Sequence, residues 1–89
     1  MKSELIRADG TRQSISIDDT QDIGAIAKLI GAKSLDHVNL RNGFLMWVDD
    51  LGHQNGLPVN AEATRLYHSI CRPGTTHQIV GDVVLTRIW

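Results

Sequence analysis

Two segments of the chain are apolar on both faces of an extended strand, and they limit the folds open to it. Residues 44–48 consist only of apolar and aromatic side chains, and residues 78–88 carry apolar side chains at both odd and even positions. Strands that are buried on both faces have such continuous apolar runs, whereas strands with one solvated face alternate. We therefore expect a sheet in which these two strands require cover on both faces.

Two residue pairs predict tight turns between strands. Asp9-Gly10 precedes residues 14–17, in which serine and isoleucine alternate, and Asn42-Gly43 separates residues 38–40 from residues 44–48. Both pairs favour type I′ turns, in which the two central residues have positive φ. The sequence thus predicts two hairpins.

Apolar residues at helical spacing predict a first helix between these hairpins. They recur at i, i+3, i+4 and i+7 from Ile23, after cap candidates in residues 18–22. Gly31 follows the last turn as a C′ residue, where glycine is favoured. Gly24 is expected where the helix crosses a strand closely, because it has no side chain.

A second helix is expected after the segment GLPVN at residues 56–60. Asn60 is a good N-cap, and the helix should extend to residue 71, before the proline and glycine of residues 72–74. We interpret residues 56–60 as structural. The alternative is a helix N-terminus that faces an anion, but Glu62 in the first turn would repel one.

These elements follow in the order ββαββαβ and indicate a single domain, residues 1–89, of the α+β class. We expect a mainly antiparallel sheet with two helices packed on one face. Two short helices can cover one sheet face but hardly two. The second face is then expected to meet a subunit, a ligand or a partner, unless loops cover it.

Charge and cysteine content narrow the function classes. Nine basic and ten acidic residues give a net charge of −1, which argues against binding to duplex nucleic acid. Cys71 is the only cysteine, so an internal disulfide is impossible. The absence of disulfides is typical of proteins in reducing compartments. No segment is long and apolar enough for a membrane span. We expect a cytoplasmic protein that gains stability as a homo-oligomer, dimer or higher.

Three short segments carry a resemblance to a known family. They are DDLG at residues 49–52, GLPVN at residues 56–60 and GDVV at residues 81–84. With these segments the chain resembles a small uncharacterised domain family carried by bacteriophages, plasmids and other mobile elements. Residues 71–77 are longer than the family pattern, and its acidic tail is missing. The resemblance implies the fold and a mobile-element origin, and no established activity.

A polar loop after the second helix supplies the candidate ligand site. A guanidinium, two hydroxyls and an imidazole in a glycine-containing loop are the groups that recognise phosphate. An arginine two helical turns earlier could line the same side, and a tryptophan on an open sheet face would offer a stacking surface. The candidate ligand-binding residues are Trp47, Arg65, Arg72, Thr75, Thr76 and His77. An ordinary solvated loop and a core tryptophan are the alternative.

Other chemistry is less well supported by the residue spacing. His68 and Cys71 at i, i+3, with His77 beyond and His53 in the preceding loop, could bind zinc, but the paired spacings of zinc sites are missing. Asp49 and Asp50 are expected to form a turn, because adjacent residues of a strand point to opposite faces and cannot converge. No catalytic residue, metal or cofactor is predicted.

Taken together, we expect a small non-enzymatic binding protein of a phage or other mobile element. Proteins of this size and origin often inhibit or decoy host factors, including those of anti-phage defence. It would act by binding a host protein or by sequestering a nucleotide signal. The alternative is a metal-binding or nucleic-acid-binding regulatory protein, or a small enzyme, that uses His68, Cys71 and His77.

Overall fold

The computed structural model describes residues 2–16, 23–41 and 43–87, and it places them in one antiparallel sheet with two helices. In chain order the elements are β1 (Lys2–Ile6), β2 (Arg12–Ser16), α1 (Ile23–Ile30), β3 (Leu35–Asn39), β4 (Phe44–Asp49), α2 (Ala61–His68) and β5 (Val83–Arg87). The strands lie in the order β2-β1-β5-β4-β3. The predicted α+β class and ββαββαβ order are confirmed. Neither described helix has the length and apolar character needed to cross a membrane.

The last strand lies at the centre of the sheet, between the two hairpins. β5 pairs antiparallel with β1 on one side and with β4 on the other, and its first four residues, 83–86, are buried. Burial on both faces is therefore confirmed for this strand. It is shorter than predicted, because Gly81 has φ of 77° and Val80 pairs separately with Val59 as an isolated bridge.

The two helices lie on opposite faces of the sheet, and the prediction that both pack on one face is wrong. On α2, Ala63 packs in a cluster with Ile6 and Met46, whereas on α1, Ile26 packs with Leu5 and Val84. Ile6 and Leu5 are neighbours in β1, and successive residues of a strand point to opposite faces. The helices are divided in this way because both faces of the central strands are apolar. Each face must be covered, and one helix covers each.

α1 is apolar around most of its circumference, and part of that surface remains exposed. Ile23 is 50 % exposed and Leu29 is 42 % exposed. Gly24 is also exposed, so it does not mark a close crossing with a strand, as the sequence suggested. The sequence predicted uncovered apolar surface on one face of the sheet. In the structure, exposed apolar side chains lie instead on the outer side of α1.

The C-terminus of α1 has the predicted glycine cap. Gly31 has φ of 66°, and its N–H donates to the carbonyl of Lys28 at 3.3 Å. The N–H of Ala32 donates to the carbonyl of Ala27 at 2.9 Å. This pair of bonds is the Schellman motif, which requires a left-handed residue at C′. The predicted N-cap candidates in residues 18–22 lie outside the described residues.

Both hairpins form, but the first turn is not of the predicted type. Gly10 has φ of 94°, whereas Asp9 is not in the left-handed region, since Arg41 is the only described non-glycine residue with positive φ. The N–H of Gly10 donates to the carbonyl of Arg7 at 3.0 Å. In the second turn Gly43 has φ of 88°, and the predicted partner Asn42 lies outside the described residues.

Asn60 connects three parts of the fold through its side chain. It is fully buried, and its Oδ1 accepts the backbone N–H of Ala63 at 3.0 Å, which caps α2 as predicted. Its Nδ2 donates to the carbonyls of Ile6 at 3.0 Å and Gly81 at 2.9 Å. One amide therefore bonds to α2, β1 and the segment before β5, and it connects these three parts inside the fold.

The segments GLPVN and GDVV lie against each other. The N–H of Gly81 donates to the carbonyl of Pro58 at 2.8 Å, next to the bridge between Val59 and Val80. A Cβ on Gly81 would approach Leu57 Cδ1 to 2.8 Å. That methyl group is at the end of a flexible side chain and can shift, so it is the φ of 77° that favours glycine at this position. These contacts support the structural interpretation of residues 56–60.

Replacing Asn60 with alanine should destabilise the fold more than any change to an exposed amide. The cap contributes about 1 kcal/mol, and each of the two hydrogen bonds to carbonyls contributes about 0.5–1.5 kcal/mol. We expect Asn60→Ala to lower the free energy of unfolding by about 3 kcal/mol in urea denaturation. Asn55→Ala, at an exposed residue, is the matched control and should change it by less than about 0.5 kcal/mol. Equal stability of the two variants would contradict the role of the Asn60 amide.

Candidate functional site

A cleft of about 230 Å³ opens where β3 begins and β4 ends. Val48, Ile79 and Val80 provide the apolar part of its lining. Its polar lining residues are Asp36, Asp49, Asp50, His53, His77 and Gln78. The cleft therefore combines carboxylates and imidazoles with an apolar wall, and we treat it as the candidate functional site.

Two histidines hold the backbone that forms one side of the cleft. His53 Nε2 lies 2.7 Å from the carbonyl of Gln78, and His68 Nε2 lies 2.6 Å from the carbonyl of His77. A carbonyl accepts only, so each Nε2 carries a proton and donates. The segment 77–78 is thereby connected to the turn after β4 and to the last turn of α2.

Aromatic rings line up beside this segment. The ring centroids of His53 and His77 are 5.0 Å apart, and those of Tyr67 and His77 are 5.8 Å apart. Such separations are in the range of offset or tilted ring pairs. A hydrogen bond with Cys71 raises the pKa of the Tyr67 hydroxyl. The His77 ring is thus held between two neighbours although the residue itself is exposed.

The three carboxylates of the cleft are bonded only to neighbouring groups. Asp49 Oδ1 accepts the N–H of Leu51 at 2.9 Å, and Asp36 Oδ1 accepts the N–H of His37 at 2.8 Å. Asp50 Oδ2 accepts a weak bond from a serine hydroxyl at 3.4 Å. The ion pairs of the described residues join Glu4, Glu62, Arg12 and Arg65, and include none of the three. The cleft is therefore locally anionic without a cation of its own.

Asp49 and Asp50 line one cleft, contrary to the expectation that they cannot converge. β4 ends at Asp49, and Asp50 already lies in the following turn, so the alternation of an extended strand no longer applies between them. The predicted turn role of Asp49 is nevertheless present in its bond to the N–H of Leu51. Asp49 therefore has a structural role in the turn and also lines the cleft.

The structure places the six predicted ligand residues in four different surroundings. His77 lines the cleft, and Arg72 and Thr75 lie together in the loop, where the Thr75 hydroxyl donates to the Arg72 carbonyl at 2.8 Å. Thr76 is exposed in the same loop. Arg65 is on α2 and is paired with Glu62, with Nε 3.2 Å from Oε2. The loop residues are therefore close to each other, but Arg65 is already paired.

Trp47 is on the other face of the sheet. Its indole N–H donates to the Thr86 hydroxyl at 2.9 Å, and its ring centroid lies 5.2 Å from that of His37. It packs against the cluster of Leu5 and Ile26 under α1. Val48, the next residue of β4, faces the cleft instead. The structure thus separates the tryptophan from the polar loop after α2.

His68, Cys71 and His77 do not form the metal site of the alternative prediction. In the described parts of the chain, no three side chains of His, Cys, Asp or Glu come together in a way that could hold a metal ion. His68 Nε2 is directed to a backbone carbonyl, and Cys71 lies beside Tyr67. The i, i+3 spacing is therefore explained by local packing.

Asp36 belongs to the cleft but was not singled out from the sequence. A signal for it exists, because a turn near residues 42–43 places it opposite the end of the next strand, and it pairs with Val48. His53 was considered only as a zinc ligand, and nothing in the sequence connects it with this cleft. It reaches Gln78, far along the chain, only because the turn after β4 folds back under residues 77–80.

No family model, no curated protein and no solved structure matches this chain. The interpretation of the cleft therefore depends on its own residues and their chemistry.

The pairing of Arg65 can be tested through the carboxyl group of Glu62. The hydrogen bond from Arg65 lowers the pKa of Glu62, and the charges of Arg65 and Arg12 add to this. Arg65→Gln should raise that pKa toward its ordinary value, as measured by NMR titration of the carboxyl carbon. Arg72→Gln, in the exposed loop, is the control and should leave it unchanged.

The same shift has a consequence for stability. The pKa of Glu62 is lower in the folded than in the unfolded chain. Its contribution to the free energy of unfolding is therefore present above the unfolded pKa and is lost as the pH falls through the folded pKa. Arg65→Gln should remove this part of the acid sensitivity. An unchanged Glu62 titration in that variant would show that Arg65 is free to bind a ligand.

Proposed function

We propose that the protein is a non-enzymatic binding protein whose cleft receives a lysine or arginine side chain of a partner protein. The observation that carries this proposal is the group of carboxylates of Asp36, Asp49 and Asp50, which line one cleft and form no ion pair with a described residue. A partner cation would supply the missing positive charge.

The other groups of the cleft suit the same type of side chain. A guanidinium can bond to carboxylate oxygens with two parallel N–H groups and can stack on a planar ring, which the pair of His53 and His77 offers. The methylene groups of a long basic side chain can pack on apolar surface, such as Ile79 and Val80 at the cleft. Hydrogen bonds to charged groups contribute about 1.5–3 kcal/mol when they are partly buried.

A protein partner is favoured over a nucleotide by the charge around His77. A phosphate bound at this imidazole would lie next to the carboxylates of the cleft and would be repelled by them. Arg65, one of the two arginines proposed to hold a phosphate, is engaged by Glu62. The protein-binding form of the prediction therefore has the better support from the geometry.

The biological setting follows from the family resemblance and is part of the proposal. The protein would act in the bacterial cytoplasm as an inhibitor or decoy of a host factor, on behalf of a phage or other mobile element. We also propose that it self-associates, because a chain of 89 residues without a disulfide buries a small core and often gains stability from a second copy.

Binding of a basic side chain can be measured before a partner is known. A ¹⁵N-labelled protein is titrated with triarginine peptide, and with triglutamate peptide as the control. We expect saturable shifts of the amide signals of residues 36, 48–50, 53 and 77–80 with triarginine only. The double variant Asp36→Asn/Asp50→Asn should weaken the binding by about fivefold, since an exposed ion pair contributes about 0.2–1 kcal/mol.

Asp9→Asn is the matched control, because it removes one exposed carboxylate from the first hairpin turn, away from the cleft. It should leave the affinity for triarginine within about twofold of the original protein. Shifts that spread over the surface without saturation, or equal effects of the control and the double variant, would contradict a specific site in the cleft.

A further inference from the structure

Among the described residues, no strand pairs with the outward side of β2, so β2 is an edge of the sheet. The N–H of Arg7 donates to the carbonyl of Thr11 at 2.9 Å, and β1 and β2 pair antiparallel from this point. Since hydrogen-bonded pairs alternate along an antiparallel ladder, Gln13 and Ile15 direct their backbone groups toward β1. Arg12, Ser14 and Ser16 must then direct theirs away from the sheet.

The described residues of β2 lack several of the features that usually protect an edge strand. Its residues include no proline, lysine or glycine, and Arg12, Gln13 and Ser14 are exposed. No described side chain accepts a hydrogen bond from the outward N–H of Ser14. The Arg12 side chain is directed to Glu4 of β1 at 2.8 Å, so it does not screen the edge. Natural sheets normally block such an edge against pairing with another chain.

The opposite edge of the sheet differs in this respect. In β3 the outward N–H of His37 is bonded to Asp36 Oδ1 at 2.8 Å, and just beyond the strand Asn39 Oδ1 accepts the N–H of Arg41 at 2.8 Å. A strand that paired there would have to displace the Asp36 carboxylate. Of the two edges of the described sheet, β2 is therefore the one prepared for an additional strand.

The sequence of β2 is compatible with a second copy of itself. If two antiparallel β2 strands meet with Ser14 opposite Ser14 of the other copy, then Arg12 lies opposite Ser16, and Gln13 opposite Ile15. Both strands pair over their full length, and the outward backbone groups of one meet those of the other. No like charges stand opposite each other, which is a requirement for stable cross-strand pairs.

We infer that two copies of the protein associate through their β2 strands, in antiparallel register centred on Ser14, and so form one continuous sheet. This inference rests on the self-association proposed above and names the surface that carries it. A two-fold axis at Ser14 relates the copies, so the contact uses the same surface on both and closes as a dimer. The cleft lies at the β3 side of the sheet and stays accessible.

Ser14→Pro is the direct test. Proline removes the N–H that points out of the sheet, while the bonds from β2 to β1 are kept, and edge strands tolerate it in this position. Light scattering during size exclusion should give twice the monomer mass for the original protein and the monomer mass for Ser14→Pro. Ser14→Thr keeps the N–H and is the matched control, for which we expect the dimer mass.

A second measurement keeps the inference testable if Ser14→Pro fails to fold, as judged by circular dichroism. Amide hydrogen exchange of Ser14 in the original protein should slow as the concentration rises, whereas that of His37 at the other edge should not change. A monomer at all concentrations would overturn the self-association itself. A dimer that Ser14→Pro leaves intact, or Ser14 exchange that is independent of concentration, would overturn the β2 surface alone.

Discussion

The buried amide of Asn60 is the interaction on which the arrangement of this fold most depends. It begins α2, holds the end of β1 and fixes the backbone before β5, so three segments distant in sequence meet at one side chain. A hydrophobic side chain of similar size could fill the space but could not satisfy a helix N-terminus and two carbonyls at once. The segments GLPVN and GDVV are therefore two halves of one structural unit.

Central strands with two apolar sides impose the second constraint. Each side needs cover, and the chain supplies one helix to each: α1 over Leu5 and Val84, and α2 over Ile6 and Met46. This division places Trp47 under α1 and away from the polar loop. It also leaves Ile23 and Leu29 on the outer side of α1, since a helix of eight residues cannot bury apolar groups all round its axis against one sheet.

The cleft is formed by parts of the chain that leave the regular elements. β3 and β4 contribute their ends, the turn after β4 contributes His53, and the segment before β5 contributes His77. Asp36 and Asp49 are held by short local bonds and Asp50 by a weak one, and none of the three forms an ion pair with a described residue, so the local charge differs from the nearly neutral whole. These features are the basis of the proposal that the cleft binds a basic side chain of a partner.

The sequence by itself determined the class of fold, the two hairpins, the cap at Asn60 and the glycine end of α1. These depend on local backbone preferences and on periodicity, which act over a few residues. Tertiary structure alone decided the faces on which the helices lie and the residues that surround His77. Those depend on the direction in which each connection crosses the sheet and on contacts between residues far apart in the chain. A pattern of residues does not encode that direction, because both faces of the central strands are equally apolar.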